Sequence, residues 1–360
     1  MTFPGIRGWT SLSRRIRTLI VSGVAFFALL ILAFTMPVPY VILSPGPTCN
    51  TLGSGGDPAC GTADLIKVDG TTTNKVSGHL NLTTVSVTEE NHRETVFNVI
   101  SAWLSSDEAV IPKSAEYPPG QSQDQVNQQN ANDFTESQDN AVASASCELG
   151  YPKQQGVAGV LSSGASFQKL LPADVLKKID GTSVASAQDV TTALSQHAPG
   201  TTVTLDILRQ TKPKTVSVKL GPPVKGRTGG SLGITFGTVC QFPFSVSICG
   251  NCPIGGPSAG LMFALGIMDK VGKVDLTHGE FIAGTGEIDG QGNVSQIGGI
   301  ALKMIAARNA GATVFLAPAG NCPDVAGAIP HGLNVIKVAT LHDAVTSLEA
   351  LHAGKAVPHC

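Results

Sequence analysis

The stretch Gly255-Gly256-Pro257-Ser258-Ala259-Gly260 runs directly into Leu261-Met262-Phe263-Ala264-Leu265-Gly266-Ile267-Met268. A helix over the second half is apolar almost all round, so it must be buried on every side. The 360 residues of the chain suffice for two or three domains and for a core large enough to hold it. Pro257 suits a first helical turn, because its ring presets φ and its missing N–H would go unpaired there. Ser258 then lies where backbone N–H groups point outward and the helix dipole is positive. A serine so placed can attack a carbonyl while nearby amides hold the oxyanion. Serine also favours helix starts as a plain cap, and position alone leaves both readings open.

Charged residues make up 14% of the chain and the net charge is −2, which gives no electrostatic footprint for nucleic acid. No GxxxxGK[ST] motif occurs, so no ATP-driven motor is expected. Glycine, at 41 residues, points to many turns and close backbone approaches.

From Thr18 to Met36 there is no charge, and Leu19, Ile20, Val21, Val24, Phe26, Phe27, Leu29, Leu30, Ile31, Leu32 and Phe34 dominate. As a helix this run reaches roughly 28 Å, about one hydrocarbon core. Arg7, Arg14, Arg15 and Arg17 precede it, and no Lys or Arg follows until Lys67. The positive-inside rule therefore puts residues 1–17 in the cytoplasm, an anchor at 18–37 in the membrane and the rest outside. The alternative is a cleaved signal peptide. The length of the run and the lack of a good Ala-x-Ala site before Pro37-Val38-Pro39 favour the anchor.

Eight cysteines lie beyond this run: Cys49, Cys60, Cys147, Cys240, Cys249, Cys252, Cys322 and Cys360. An even count in an oxidising compartment points to structural disulfides, of open connectivity. Cys49 with Cys60 would close a short Gly-rich loop. The lone Cys249-Gly250-Asn251-Cys252 is a weak zinc or redox signal, and no metal is expected.

Residues 38–64, rich in Pro, Gly and Thr, read as a linker. His79–Val87 alternates as a strand, Glu94–Leu104 reads as a helix, and the Gln/Asn-rich Tyr117–Asn132 reads as an exposed loop. Phe134–Leu149 returns to helical spacing with Ala141, Ala145 and Leu149.

Residues 151–222 have their own rhythm. Val157–Leu161 is a short apolar strand, Leu170–Ile179 holds a turn and a strand, and Asp180-Gly181 is a tight turn. Ala187–Ser195 reads as a helix, and 203–209 with 215–220 as paired strands. This segment resembles a PDZ domain of the kind attached to bacterial proteases, most specifically in its Leu-Pro-Ala-Asp-Val-Leu…Ile-Asp-Gly run. The resemblance implies that Gly156, Val157, Ala158, Gly159, Val160 and Leu161 offer amides to a peptide carboxylate and an edge for strand addition. A small β domain that only braces its neighbours is the alternative.

Residues 242–248 read as a strand feeding the Ser258 turn, and Phe281–Ile288 as another, followed by an Asp289-Gly290 hairpin turn. The next helix carries Lys303 on one face with Ile300, Ala306, Ala307 and Ala310. Such a lysine either reaches outward to solvent or sits in a dry site. A dry site lowers its pKa, and a neutral amine can take a serine proton. Moving the pKa from about 10.4 to 7 or 8 needs about 4 kcal/mol of environmental bias, which burial supplies.

Gly-Gly-Pro-Ser-Ala-Gly at 255–260, Gly-Thr-Gly-Glu-Ile at 284–288, and Ile297-Gly298-Gly299 with Ile300-Ala301-Leu302-Lys303 resemble, in order, the motifs of the Lon proteolytic domain. With the N-terminal apolar run and the PDZ-like segment, the chain resembles membrane-anchored, ATP-independent Lon-like proteases. The resemblance implies an α/β (α+β) proteolytic domain at 223–350 with a PDZ-like β domain, preceded by one transmembrane helix, with 351–360 a tail. It implies Ser258 as nucleophile, Lys303 as general base, Thr285 as a residue that orients the lysine, and Gly255 and Gly256 in support. It implies no cofactor and peptide or unfolded protein as substrate, with a homo-oligomer as a further expectation. His79, Leu80, Thr84, Val85 and Glu136–Ala141 resemble the first strand and helix of the same domain. Residues 65–150 would then open the protease fold, with 79–87 and 242–248 in one sheet and the PDZ-like unit inserted. A tethered scaffold without catalysis and an enzyme that cuts only itself are the rival readings.

Overall fold

The structure, a computed structural model, describes residues 13–53, 58–61, 63–210, 212–249 and 252–360. Expectations placed on residues 1–12, including Arg7, and on Gly250 and Asn251 lie outside the described residues. The chain begins with α1 (Arg14–Thr35), β1 (Tyr40–Asn50), β2 (Ile66–Asp69), β3 (His79–Val87), α2 (Val96–Leu104), β4 (Ala109–Pro112), α3 (Lys113–Glu116) and α4 (Gln123–Glu148). It continues with β5 (Lys153–Val160), β6 (Val175–Ile179), β7 (Thr182–Ser183), α5 (Ala187–Ser195), β8 (Thr202–Arg209), β9 (Lys212–Lys219) and β10 (Ile234–Cys240). The last third holds β11 (Ser245–Ile248), α6 (Gly260–Val271), β12 (Phe281–Gly284), β13 (Glu287–Ile288) and β14 (Val294–Ser295). It ends with α7 (Ile300–Ala310), β15 (Val314–Pro318), α8 (Cys322–Val325), β16 (Asn334–Val338) and α9 (Leu341–His352).

The chain divides into two compact units. One takes the residues up to Ser44 together with Ser86–Gln123. In it α1, 22 residues long, has no buried residue and is long and apolar enough to cross a membrane, a property signal sequences share. β4 pairs antiparallel with Tyr40–Leu43 of β1. Thr95 caps α2 by accepting from the Asn98 N–H at 3.3 Å.

The other unit takes Pro45–Val85 and Asp124–Cys360. Its main sheet runs β16-β15-β12-β3, all parallel, and β1 lies beside β3. Packed under it, α6 is buried from Gly260 to Lys270, as its all-round apolar sequence requires. Leu261, Phe263, Leu265 and Ile267 are fully buried, each contributing about 1.5–3 kcal/mol. The two charges at its end are satisfied: Asp269 accepts the Leu276 N–H and Lys270 donates to the Ile66 carbonyl, both at 2.8 Å. A four-stranded sheet, β7-β6-β8-β9, with α5 forms the PDZ-like part around Val203, Leu205, Leu176 and Val218. All eight cysteines pair: Cys49–Cys60, Cys147–Cys240, Cys249–Cys252 and Cys322–Cys360.

Three expectations need correction. Residues 38–64 are not a simple linker, because 40–50 form β1. Gly46, which reads as a breaker, is what lets β1 approach Thr84, whose backbone would lie 2.8 Å from a Cβ there. The Gln/Asn-rich stretch is not a loop from Gln123 on but the first half of α4, held by side-chain bonds Gln128 to Asn132 and Gln129 to Asp133. Strand 79–87 does not share a sheet with 245–248: β11 pairs with β2, while β3 pairs in parallel with β12. Two strands adjacent in one sheet thus flank the PDZ-like segment in sequence.

Candidate active site

Ser258 lies in the turn before α6, whose first residue is Gly260. The N-cap position falls to Ala259, which makes no side-chain cap, so the Ser258 hydroxyl is not spent as one. Two strands of contact hold the turn. On one side the Gly286 N–H donates to the Ser258 carbonyl at 2.8 Å, and the Leu261 N–H donates to the Gly286 carbonyl at 3.1 Å. On the other, α4 accepts the Gly256 N–H on the Asn130 carbonyl and donates the Ser137 hydroxyl to the Pro257 carbonyl, both at 2.8 Å. Gly260 has to be glycine: a Cβ there would stand 2.8 Å from Ser137 Oγ and 2.7 Å from the Ile288 side chain.

Lys303 comes from the first turn of α7. Gly299 caps that helix in the left-handed region, at φ 69°, and accepts the Lys303 N–H at 3.1 Å. The Lys303 side chain is dry, at 4% exposure, and Ile300, Ala306 and Ala307 on the same helix are buried too. Its Nζ lies 2.7 Å from Ser258 Oγ and 3.0 Å from Thr285 Oγ1. Thr285, wholly buried just beyond β12, donates to the Ser258 carbonyl at 3.0 Å. Burial brings the Lys303 amine down to about 7, so a neutral amine is accessible at physiological pH. Near this site Glu136 and Glu287 are both raised, first by burial and then by the charge of Asp133.

The structure therefore brings Ser258, Lys303 and Thr285 together. Gly256 sits at φ 85° in the turn, but its N–H is committed to Asn130. The sequence reading assigned no role to Asn130 or Ser137. The small-residue spacing of Ser137, Ala141 and Ala145 on α4 is the signal that this face packs closely.

Gly156–Leu161 falls elsewhere. Gly156, Val157, Gly159 and Val160 pair with β10, and Ala158 lies at a register shift between Gly159 and Val157. The Val157 N–H donates to Asp174 and the Leu161 N–H to Gly233. The expected free edge is thus already occupied by the chain itself. An open groove lies instead beside α5, lined by Leu161, Val190, Leu194, Leu232, Ile234 and Phe236. Among the described residues no group of three or more His, Cys, Asp or Glu could hold a metal ion.

Residues 246–351 match the family model of the Lon protease (S16) C-terminal proteolytic domain, and residues 132–220 match that of the PDZ domain. Lon protease 2 of Bacillus subtilis is 32% identical over 108 residues, covering 30% of this chain and 19% of that protein. The Lon protease of Lachnoclostridium phytofermentans is 39% identical over 98 residues, covering 26% and 12%. The chain spans less than a fifth of the length of these curated relatives. Among solved structures, the PDZ domain of an SdrC-like protein from Listeria monocytogenes is 25% identical, covers 23% of this chain and 86% of its own, and superposes with a TM-score of 0.21.

Proposed function

We propose that this chain, a Lon-like protease that carries a PDZ domain, is a serine endopeptidase working through a Ser258–Lys303 dyad without ATP, tethered to the membrane by α1 with its catalytic part outside the cytoplasm. The observation that carries the dyad is the 2.7 Å separation of Lys303 Nζ and Ser258 Oγ in a dry site. Neutral Lys303 accepts the hydroxyl proton as Ser258 Oγ bonds to the peptide carbonyl carbon. The same proton then passes to the leaving amine as the C–N bond breaks, and water repeats the cycle to release the acyl group. Thr285 orients the lysine by accepting one of its N–H groups. Pro257 has no N–H and the Gly256 N–H donates to Asn130, so the amides of Gly255, Ser258 and Ala259 are the turn's candidates for the oxyanion.

The PDZ domain takes peptide termini or loose segments in the groove between α5 and residues 232–236, which Leu161 also lines, rather than along 156–160. Residues 65–85 and 124–150 belong with 223–350 in one proteolytic fold, with 151–222 inserted, while 86–123 fall in the other unit; the β3–β12 pairing supports this. The outward placement rests on Arg14, Arg15 and Arg17 in the first turn of α1, ahead of its apolar run. The absence of an ATPase motif favours unfolded substrates, and a homo-oligomer remains part of the proposal by resemblance alone.

Purified Ser258→Ala and Lys303→Ala are expected to lose hydrolysis of an unfolded protein substrate while keeping the parent circular dichroism. Undiminished cleavage by Lys303→Ala overturns the dyad. Labelling of Ser258 by a fluorophosphonate separates the enzyme from a peptide-binding scaffold, and cleavage in trans separates it from a self-processing factor.

A further inference from the structure

Helix α2 turns its apolar side chains outward. Trp103 is 78% exposed and Leu104 80%, with Phe97 and Ile100 about half exposed. Positions 97, 100 and 104 form one helical stripe with Trp103 at its border, while small Ala102 faces inward at 1% exposure. No charged residue lies within the helix. Facing water, this surface forgoes about 1.5–3 kcal/mol for each large side chain left uncovered.

What covers it follows from its neighbour in the same unit. The Phe97 ring stacks on Phe34, 4.3 Å between centroids, in the last turn of α1. The Val38 N–H donates to the Glu94 carbonyl at 2.9 Å, two residues before α2 starts. The stripe therefore continues the uncovered apolar surface of α1, where Ile31, Leu32 and Phe34, and Met36 just past its end, are all at least half exposed. This is the end of α1 away from Arg14, Arg15 and Arg17. Indole and aliphatic side chains at the end of a spanning helix fit the boundary between headgroups and acyl chains. Glu89, Glu90 and Glu94 before α2, and Asp107 and Glu108 after it, outnumber Arg93 and oppose attraction to anionic lipid. Attachment is then apolar and insensitive to salt.

We propose that α2 is an interfacial helix, lying in the outer lipid boundary beside the anchor with Phe97, Ile100, Trp103 and Leu104 immersed in lipid. This rests on the reading of α1 as a membrane anchor. It gives the protein a second membrane contact, which fixes the rotation of its first unit about the anchor.

Trp103 itself is the probe. The chain has two tryptophans, so full-length Trp9→Phe leaves Trp103 as sole indole. The variant is reconstituted in phosphatidylcholine vesicles containing lipid spin-labelled either near the headgroup or at the acyl end. The expected result is blue-shifted emission, quenched about twofold more by the shallow label than the deep one, and little quenched by iodide. Iodide quenching with no lipid quenching, in protein that still floats with the vesicles, overturns the proposal. Emission shielded from both quenchers, with iodide access gained on dilution, also overturns it by assigning the face to a second copy. Failure to float with the vesicles removes the anchor, a separate result, and the proposal with it.

Discussion

Thr285 Oγ1 stands 3.0 Å from the Lys303 amine and 3.0 Å from the carbonyl oxygen of Ser258. A hydroxyl has one proton and two lone pairs, so it donates to the carbonyl and accepts an amine N–H. That leaves the amine lone pair to face Ser258 Oγ. Thr285→Val keeps the shape and removes both bonds. We expect kcat to fall about 10- to 100-fold with KM nearly unchanged, the range set by losing a buried hydrogen-bonding group. Thr285→Ser restores most of the rate. Steady-state kinetics on one fluorogenic peptide measure all three proteins.

The Lys303 amine titrates at about 7 in the folded protein, against 10.5 for an ordinary lysine. Below the lower value the amine is protonated and cannot accept the serine proton. The rate is therefore expected to rise about tenfold per pH unit up to that point and level off above it. Stability carries the same signature. Between the two values the unfolded chain binds the extra proton, so stability rises with pH across this window and the penalty is complete below it. Lys303→Met removes the buried charge. It is expected to exceed the parent in stability by on the order of 4 kcal/mol under mildly acidic conditions, with the gap closing as pH approaches the free-lysine value. Denaturant melts of both proteins across the pH range check the sign.

The parts of this site differ in how far they could be read from sequence. Ser258 and Lys303 stood out because Ser258 closes a Gly-rich turn ahead of an apolar helix and Lys303 is one of only two charges on a largely apolar one. The strands of the PDZ domain were legible for a similar reason, being closed by local turns such as Asp180-Gly181 and by short-range pairing of β8 with β9. Strand β1 was not. Pro45, Gly46 and Pro47 look like breakers until β3 lies beside them, and Thr84 then donates to the Pro47 carbonyl at 2.8 Å. The first half of α4 was hidden by its Gln and Asn side chains, which carry no apolar period. The pairing of His79–Leu82 with Phe281–Gly284 depends on partners some two hundred residues apart, beyond any local pattern.

Ser137 bonds the carbonyl of Pro257, the residue directly before the nucleophile, from a helix that no local motif links to it. Ser137→Ala frees that carbonyl without enlarging the site. A looser turn is expected to lower kcat several-fold, about 1 kcal/mol, and leave KM and the pH midpoint where they are. A shifted midpoint would mean that the change reaches Lys303 instead.

Arg209 closes the structural link between the PDZ strands and their own loop. Its Nε and Nη2 bind both oxygens of Asp174, at 2.8 and 2.6 Å, and Nη2 also reaches the Lys169 carbonyl at 2.9 Å. Asp174 is buried at 1% exposure and holds the Leu171 N–H at 2.8 Å. Burial raises its carboxyl despite the guanidinium, so the ion pair offsets a desolvation cost that persists when the partner is removed. Arg209→Met is expected to cost about 3–5 kcal/mol, because it strands the carboxylate. Adding Asp174→Asn to the same chain should recover part of that loss, since the stranded charge goes too. Ser258, Thr285 and Lys303 keep every bond described above in both variants, so hydrolysis of a short peptide below the melting transition should stay near the parent rate. Thermal melts of the two variants and the parent, with peptide assays at low temperature, separate a fold-stabilising pair from one that takes part in catalysis.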